Sequence, residues 1–379
     1  ADRWVPLDLE DREHVEEVRR TLRKQASNVV LSEALPHRGH AWLTSPLGAH
    51  VAEVCVQLHR TAADAARPAA MLLGNAAASA PPDVARRAMI EPPGGRWAYL
   101  ALITGPDRRE ELVGMLASLP DGVREVTDRW FFVRYSQPEE QLRVRFRCSP
   151  EATPERLLTT VLAWADAMRQ DGYCDRVTLE TYLPEVDRYG GLRAIDAVEQ
   201  VFHADSELVA SLVDLDHRRL LPEDRIVVLA AGIDDVFACF GLPAADRLPF
   251  YSSDVADTQL GSTLCREHGA ALRRVLARSA RTPDGKSSRW PAGSSVDVLF
   301  ERRAAVITDA ADRLRRLEDQ GSLTQPLPRI ASAIAHMHAN RLLGPRQASE
   351  GATVNLLSRV LRGLLIQGTA QAAPAVAAD

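Results

Sequence analysis

Between residues 97 and 183 the spacing of apolar positions changes period repeatedly, and each change predicts a new element. "WAYLALIT", "RWFFVRY", "QLRVRFR" and "RVTLETYL" are short β-rich runs that read as strands. Between the first two, Leu112, Leu116 and Leu119 recur at helical spacing over residues 107 to 119, and a Pro-Asp-Gly turn signal follows. A second helix starts at Thr153, with Pro154 at its first position. Its stripe of Leu157, Leu158, Val161, Leu162, Ala165 and Met168 runs until Gly172. The order β-α-β-β-α-β is that of the split βαβ, ferredoxin-like unit, a four-stranded antiparallel sheet backed by two helices.

Beyond Gly191 the pattern is almost entirely helical, with segments near 192–213, 223–240, 258–279, 294–320, 328–343 and 350–366. The predicted class is therefore α+β: a ferredoxin-like sheet followed by a largely helical half, with a natural site where the two meet. Ahead of this unit, residues 11 to 25 read as a charged helix, and "HAWLTSP" and "HVAEVCVQLHR" as strand-like pieces. Residues 61 to 96 are rich in Ala and Pro and read as a covering segment or linker. The expected division is an N-terminal segment 1–96, a main unit 97–366 and a loose tail 367–379.

Composition narrows the class. With 46% hydrophobic and 26% charged residues and no apolar run of about 18 residues, the chain reads as globular rather than membrane-spanning. No secretory signal is visible at the acidic start, so a cytoplasmic location is the default expectation. The five cysteines, Cys55, Cys148, Cys174, Cys239 and Cys265, are scattered and never spaced as C-x-x-C, which predicts reduced, mostly buried thiols and no zinc site. A net charge of −5 offers no general attraction to nucleic acid. Lys24 and Lys286 are the only lysines, so the positive charge is nearly all arginine.

Three charged constellations stand out. In "QLRVRFR", strand alternation puts Leu142, Val144 and Phe146 on one face and Arg143, Arg145 and Arg147 on the other. That stripe is either a solvated face or, if helices cover it, a set of cations requiring an anion. In "TYLPEVDRYGG", an apolar run stops at Pro184 and delivers Glu185 and Arg188 before a glycine turn, either as a self-contained salt bridge or as site residues. Tyr182 and Leu183 should face opposite ways. In "AHMHANRLLG", His336 and Asn340 share a helical face, Met337 and Arg341 form the adjacent pair, and His338 points away from His336, which argues against a metal pair.

Taken together, "DRWFFVRY", "LRVRF", "YLPEVDRYGG", "FHADS" and "HMHANRLLG", in this order, resemble the C-terminal domain of class I lantibiotic dehydratases and the thiopeptide-type bacteriocin biosynthesis proteins. Residues 31 to 60 resemble the segment just upstream of that domain. The resemblance implies an enzyme of ribosomal-peptide antibiotic biosynthesis. In that family a glutamyl-tRNA-dependent partner esterifies Ser or Thr of a precursor peptide, and this domain eliminates glutamate to leave dehydroalanine or dehydrobutyrine. A second branch of the fold instead joins two dehydroalanines in a formal [4+2] cycloaddition, building a pyridine and expelling the leader peptide.

Carried over by motif, the implied catalytic residues are His336, Arg188 and Glu185, and the implied substrate-binding residues are Arg143, Arg145, Tyr182 and Asn340. Gln141 stands where the family commonly has histidine. The expected partners are the leader-bearing precursor peptide and the glutamylating dehydratase subunit, with no direct nucleic-acid or membrane contact. The N-terminal 60 residues are a plausible leader-binding region, because strand edges can accept a peptide strand. No motif suggests a metal or organic cofactor.

Overall fold

The computed structural model describes Val15, residues 43–45 and 48–50, and residues 89–372 apart from 137–138, 252–257, 280–288 and 346. The chain divides into two compact units, residues 1–69 and 70–379. In the first, β1 (Leu43–Ser45) and β2 (Gly48–His50) pair antiparallel, with Leu43 opposite His50, which places a strand inside the expected "HAWLTSP" run. Val15 is helical. The rest of the predicted 11–25 helix, the strand-like residues 51–60, Cys55 and most of the Ala/Pro-rich stretch fall outside the described residues.

The second unit opens with β3 (Trp97–Ile103), α1 (Pro106–Met115), α2 (Asp121–Val126), β4 (Thr127–Tyr135), β5 (Gln141–Cys148), α3 (Pro154–Gln170) and β6 (Arg176–Glu180). All pairings are antiparallel and the strand order is β4-β5-β3-β6, the arrangement predicted for the split βαβ unit. Thr153 caps α3 as expected, its hydroxyl accepting from the Arg156 amide. The Pro-Asp-Gly signal differs from expectation. Rather than a simple turn, it starts α2, because extended Pro120 positions Asp121 in the first turn while Val123 and Val126 are buried.

Strand alternation in β5 sorts its residues as predicted. Leu142, Val144 and Phe146 are fully buried against the face carrying α1 and α3, where Phe146 meets Trp164 edge-on at 5.6 Å. Burying each of these side chains stabilises the sheet by about 1.5–3 kcal/mol. The arginine face is covered as well, for Phe131 contacts Phe202 of the next helix at 5.4 Å. β6 ends earlier than the apolar run suggested. Tyr182 forms a separate bridge with Glu91 instead, so the end of the Ala/Pro-rich stretch covers the sheet at that point. Tyr182 is buried and Leu183 is 61% exposed, the opposition that alternation requires.

The helical half comprises α4 (Ile195–His217), α5 (Arg225–Cys239), α6 (Thr258–Ser279), α7 (Ser295–Asp319), α8 (Leu327–Leu343) and α9 (Gln347–Ala372), with a short unpredicted turn at Ala244–Arg247. α4 begins three residues later than expected because Gly190 and Gly191 both have positive φ, 93° and 101°, and turn the chain first. Alanine at Gly190 would be strained by this positive φ, and its Cβ would also push Ile330 Cδ1 aside. Cys148, Cys174, Cys239 and Cys265 are free, but only Cys174 is buried, since the other three sit on half-buried positions at the ends or flanks of their elements. Among the described residues no single helix is long and apolar enough to cross a membrane.

Candidate active site

The outer edge of β4 is closed by side chains rather than by another strand. The Arg134 amide donates to Asn340 Oδ1 and the Arg134 carbonyl accepts from Asn340 Nδ2, both at 3.0 Å. Phe132 donates to Ser206 Oγ at 3.3 Å and accepts from Arg341 Nε at 2.9 Å, while His203 Nδ1 lies 2.9 Å from the Trp130 carbonyl. An open strand edge would leave these groups for water or another chain. Here α4 and α8 replace the missing strand.

Behind this seam lies a buried ion network. Asp205 accepts from Arg303 at 2.9 Å and from Arg341 at 2.8 Å, and faces His338 Nδ1 at 2.8 Å. Arg303 continues to Asp235 at 2.8 Å. Burial would raise the Asp205 pKa, but His338, Arg341 and Arg303 together outweigh it and hold the carboxyl below the usual range. Burial lowers the His338 pKa, outweighing the pull of Asp205, with Arg303 and Arg341 adding to the lowering. Thus "FHADS" and much of "HMHANR" form the joint between sheet and helices.

In front of the joint is a cleft of about 400 Å³, lined from the sheet by Phe131 and Arg145, from the post-β6 loop by Tyr182, Glu185, Arg188 and Tyr189, and from the helices by His336 and Arg341. Met337 and Asn340 also line it, so both predicted helical pairs reach the same space. Of the seven residues proposed from sequence, six line this cleft. Arg143 does not: its guanidinium stacks 3.8 Å from the ring centre of Tyr135, itself a lining residue, and its Nε donates to Gln141 at 3.0 Å.

Arg145 occupies an aromatic box. Its Cζ lies 4.1 Å from the Tyr99 ring centre, 5.3 Å from Phe131 and 5.6 Å from Tyr182. Its Nε and Nη1 are buried and without a hydrogen-bond partner among the described residues. The neighbouring cations differ: Arg188 is held by Glu185 at 3.2 Å and Arg341 by Asp205. Rings attract a cation by about 0.5–2 kcal/mol but satisfy none of its N–H donors. Arg145 therefore brings a fixed positive charge to the floor of the cleft, with no carboxylate against it among the described residues.

Two phenols share that floor. The Tyr182 hydroxyl donates to Glu199 at 2.6 Å, and burial together with Glu199 raises its pKa well above the ordinary value. Burial pushes Tyr189 up to about 12 despite the nearby Arg188. Both remain neutral near pH 7. Asn340 reaches the cleft with a carboxamide already engaged by β4, which suits it to hold the wall. His336 is the opposite case: its side chain is 42% exposed, and its Nδ1 lies 2.9 Å from both carboxylate oxygens of Glu350.

Sequence reasoning missed Glu350, Tyr189, Glu199 and the aromatic box. Tyr99, Phe131 and Tyr182 come from three separate runs, so no spacing rule joins them; only the strand register placing Arg145 beside Tyr99 and Phe131 could have paired two of them. Glu350 stands beyond the helix break at Gly344 and Pro345, so no helical periodicity relates it to His336.

Residues 97–361 match the family described as lantibiotic biosynthesis dehydratase C-term. The subtilin biosynthesis protein SpaB of Bacillus subtilis is 23% identical over 264 residues, covering 69% of this chain and 25% of SpaB. The tRNA-dependent lantibiotic dehydratase MibB from Microbispora sp. 107891 superposes with a TM-score of 0.58 at 24% identity, covering 73% of this chain and 29% of MibB. TsrL superposes with a TM-score of 0.52 at 15% identity, covering 71% and 95% of the two chains. This chain thus spans about a quarter of the length of SpaB. With the match running through the sheet, the joint and the cleft alike, the chain belongs to the family of lantibiotic biosynthesis dehydratase C-terminal domains.

Proposed function

We propose that this protein is a lyase that eliminates glutamate from glutamylated Ser or Thr of a ribosomally made precursor peptide, leaving dehydroalanine or dehydrobutyrine. The observation that carries the reading is the Arg145 guanidinium in its aromatic box, with no carboxylate against it among the described residues, in a cleft that His336 also lines. A β-elimination removes a Cα proton, forms the Cα=Cβ bond and breaks the Cβ–O bond, and the ester carboxylate leaves with the electron pair. It needs a base beside a cation.

His336 supplies the base, since neutral imidazole suits proton transfer near neutral pH. Arg145 receives the carboxylate that forms as the ester departs, and Arg188, held by Glu185, adds positive charge at the rim where the peptide enolate develops. Tyr189 is a neutral donor beside them. Tyr182 walls the box and Asn340 fixes the α8 wall. Arg143 acts from behind Tyr135.

The substrate would come from a glutamyl-tRNA-dependent partner, and charged tRNA is a cytoplasmic reagent, so the expected location follows from the reading. The test is to incubate the protein with purified glutamylated precursor peptide and follow the peptide by mass spectrometry. Loss of glutamate with appearance of dehydrated residues is expected. No dehydration from a substrate that a known eliminating domain does process would reject the reading. Conversion of a dehydroalanine-bearing peptide to a pyridine with leader release would assign the chain to cycloaddition instead.

A further inference from the structure

The elimination reading needs His336 to present a bare nitrogen to the substrate, and the residue that arranges this lies on a different helix. Neutral imidazole carries its proton on either nitrogen, and the tautomer is set by whatever the other nitrogen contacts. Glu350 stands in the first turn of α9 with both carboxylate oxygens 2.9 Å from His336 Nδ1. A carboxylate only accepts hydrogen bonds, so Nδ1 must carry a proton, and in the neutral ring the lone pair is then on Nε2. No hydrogen bond from Nε2 is found among the described residues.

The placement of Glu350 limits its alternatives. It is half-buried, its side chain 25% exposed, and His336 is its one ion-pair partner among the described residues. Arg188 and Arg341, which share the cleft with His336, are bound to Glu185 and Asp205 instead. Glu350 also sits in the turn where the amide dipoles of α9 favour a negative charge. We infer that Glu350 is the positioning residue of the site: it locks His336 as the Nδ1–H tautomer, with Nε2 as the base, and stabilises the imidazolium formed when the Cα proton is taken. The inference rests on the elimination reading for its use, but its geometry can be tested separately.

The test compares the wild-type chain with Glu350→Ala and Glu350→Gln, the second keeping an acceptor of the same size without the charge. Long-range ¹H–¹⁵N correlation spectra of the His336 ring, assigned by the signals that disappear in His336→Asn, report directly which nitrogen is protonated. The wild type should show the Nδ1–H pattern, E350A should move toward Nε2–H, and E350Q should stay close to wild type. In steady-state elimination E350A should lose at least about tenfold in kcat with little change in KM, short of the roughly 10²- to 10⁴-fold loss expected on removing the imidazole. E350Q should fall between.

An unchanged ring pattern in E350A overturns the inference whatever happens to activity, since any loss would then be structural. If the pattern switches as stated but no variant, wild type included, eliminates glutamate, the elimination reading fails while the tautomer lock stands. Should E350A not fold, the isosteric E350Q decides: a kcat equal to wild type at every pH overturns the role in stabilising the imidazolium.

Discussion

Arg145→Met separates a functional cation from a structural one, because the structure predicts opposite signs for stability and activity. Methionine keeps the apolar stem in the box of Tyr99, Phe131 and Tyr182 but removes the charge. The loss is a cation–π attraction of about 0.5–2 kcal/mol. The gain is relief from burying Nε and Nη1 without partners, and the burial cost of an unpaired ion is on the order of several kcal/mol. The variant should therefore be as stable as wild type or more so, by up to about 2 kcal/mol in urea unfolding at unchanged m. Elimination should fall by roughly 10²- to 10³-fold, the usual effect of removing one preorganised charge-stabilising group. Free L-glutamate should raise the wild-type melting temperature by linkage and leave that of R145M where it is. A variant destabilised by more than about 2 kcal/mol that still eliminates at the wild-type rate would refute the reasoning, since Arg145 would then be a packing residue.

Three further outcomes follow from the joint. Asn340→Leu strands the Arg134 amide and carbonyl, each costing about 1–3 kcal/mol, so a lowered urea midpoint is expected. Gly232→Ala ought to stabilise an ordinary helix by about 1 kcal/mol, but here the added Cβ would run into His338 Nε2, so calorimetry should show a lower Tm. The lowered His338 pKa means that the unfolded chain takes up the proton first. That stabilisation is fully present above about pH 6.5 and fades as pH falls toward the folded-state pKa. Asp205, also lowered, adds a loss that begins below about pH 4. Unfolding free energies measured from about pH 8 down to about pH 3 should decline in these two stages, and a flat profile between about pH 7 and 5 would contradict the assignment to His338.

Period and punctuation determined the four strands and the two longer helices of the sheet unit, though not α2 or the end of β6, because a strand or helix with one buried face must repeat its apolar residues at about 2.0 or 3.6. The alternation in "QLRVRFR" thus fixed which side chains oppose which, and α7 and α8 start and end within a residue of where their patterns do. The site was legible where one element presents several of its members, as α8 does with His336, Met337, Asn340 and Arg341. What those residues do was not. His336 and His338 stand two positions apart, yet one borders the cleft opposite Glu350 and the other is sealed beside Asp205, a difference set by neighbours from other elements. Whether Arg145 is a solvated charge or an anion receptor depends on three rings and a covering helix drawn from distant segments. Burial and pairing are properties of the space around a side chain, and only the tertiary fold fills that space.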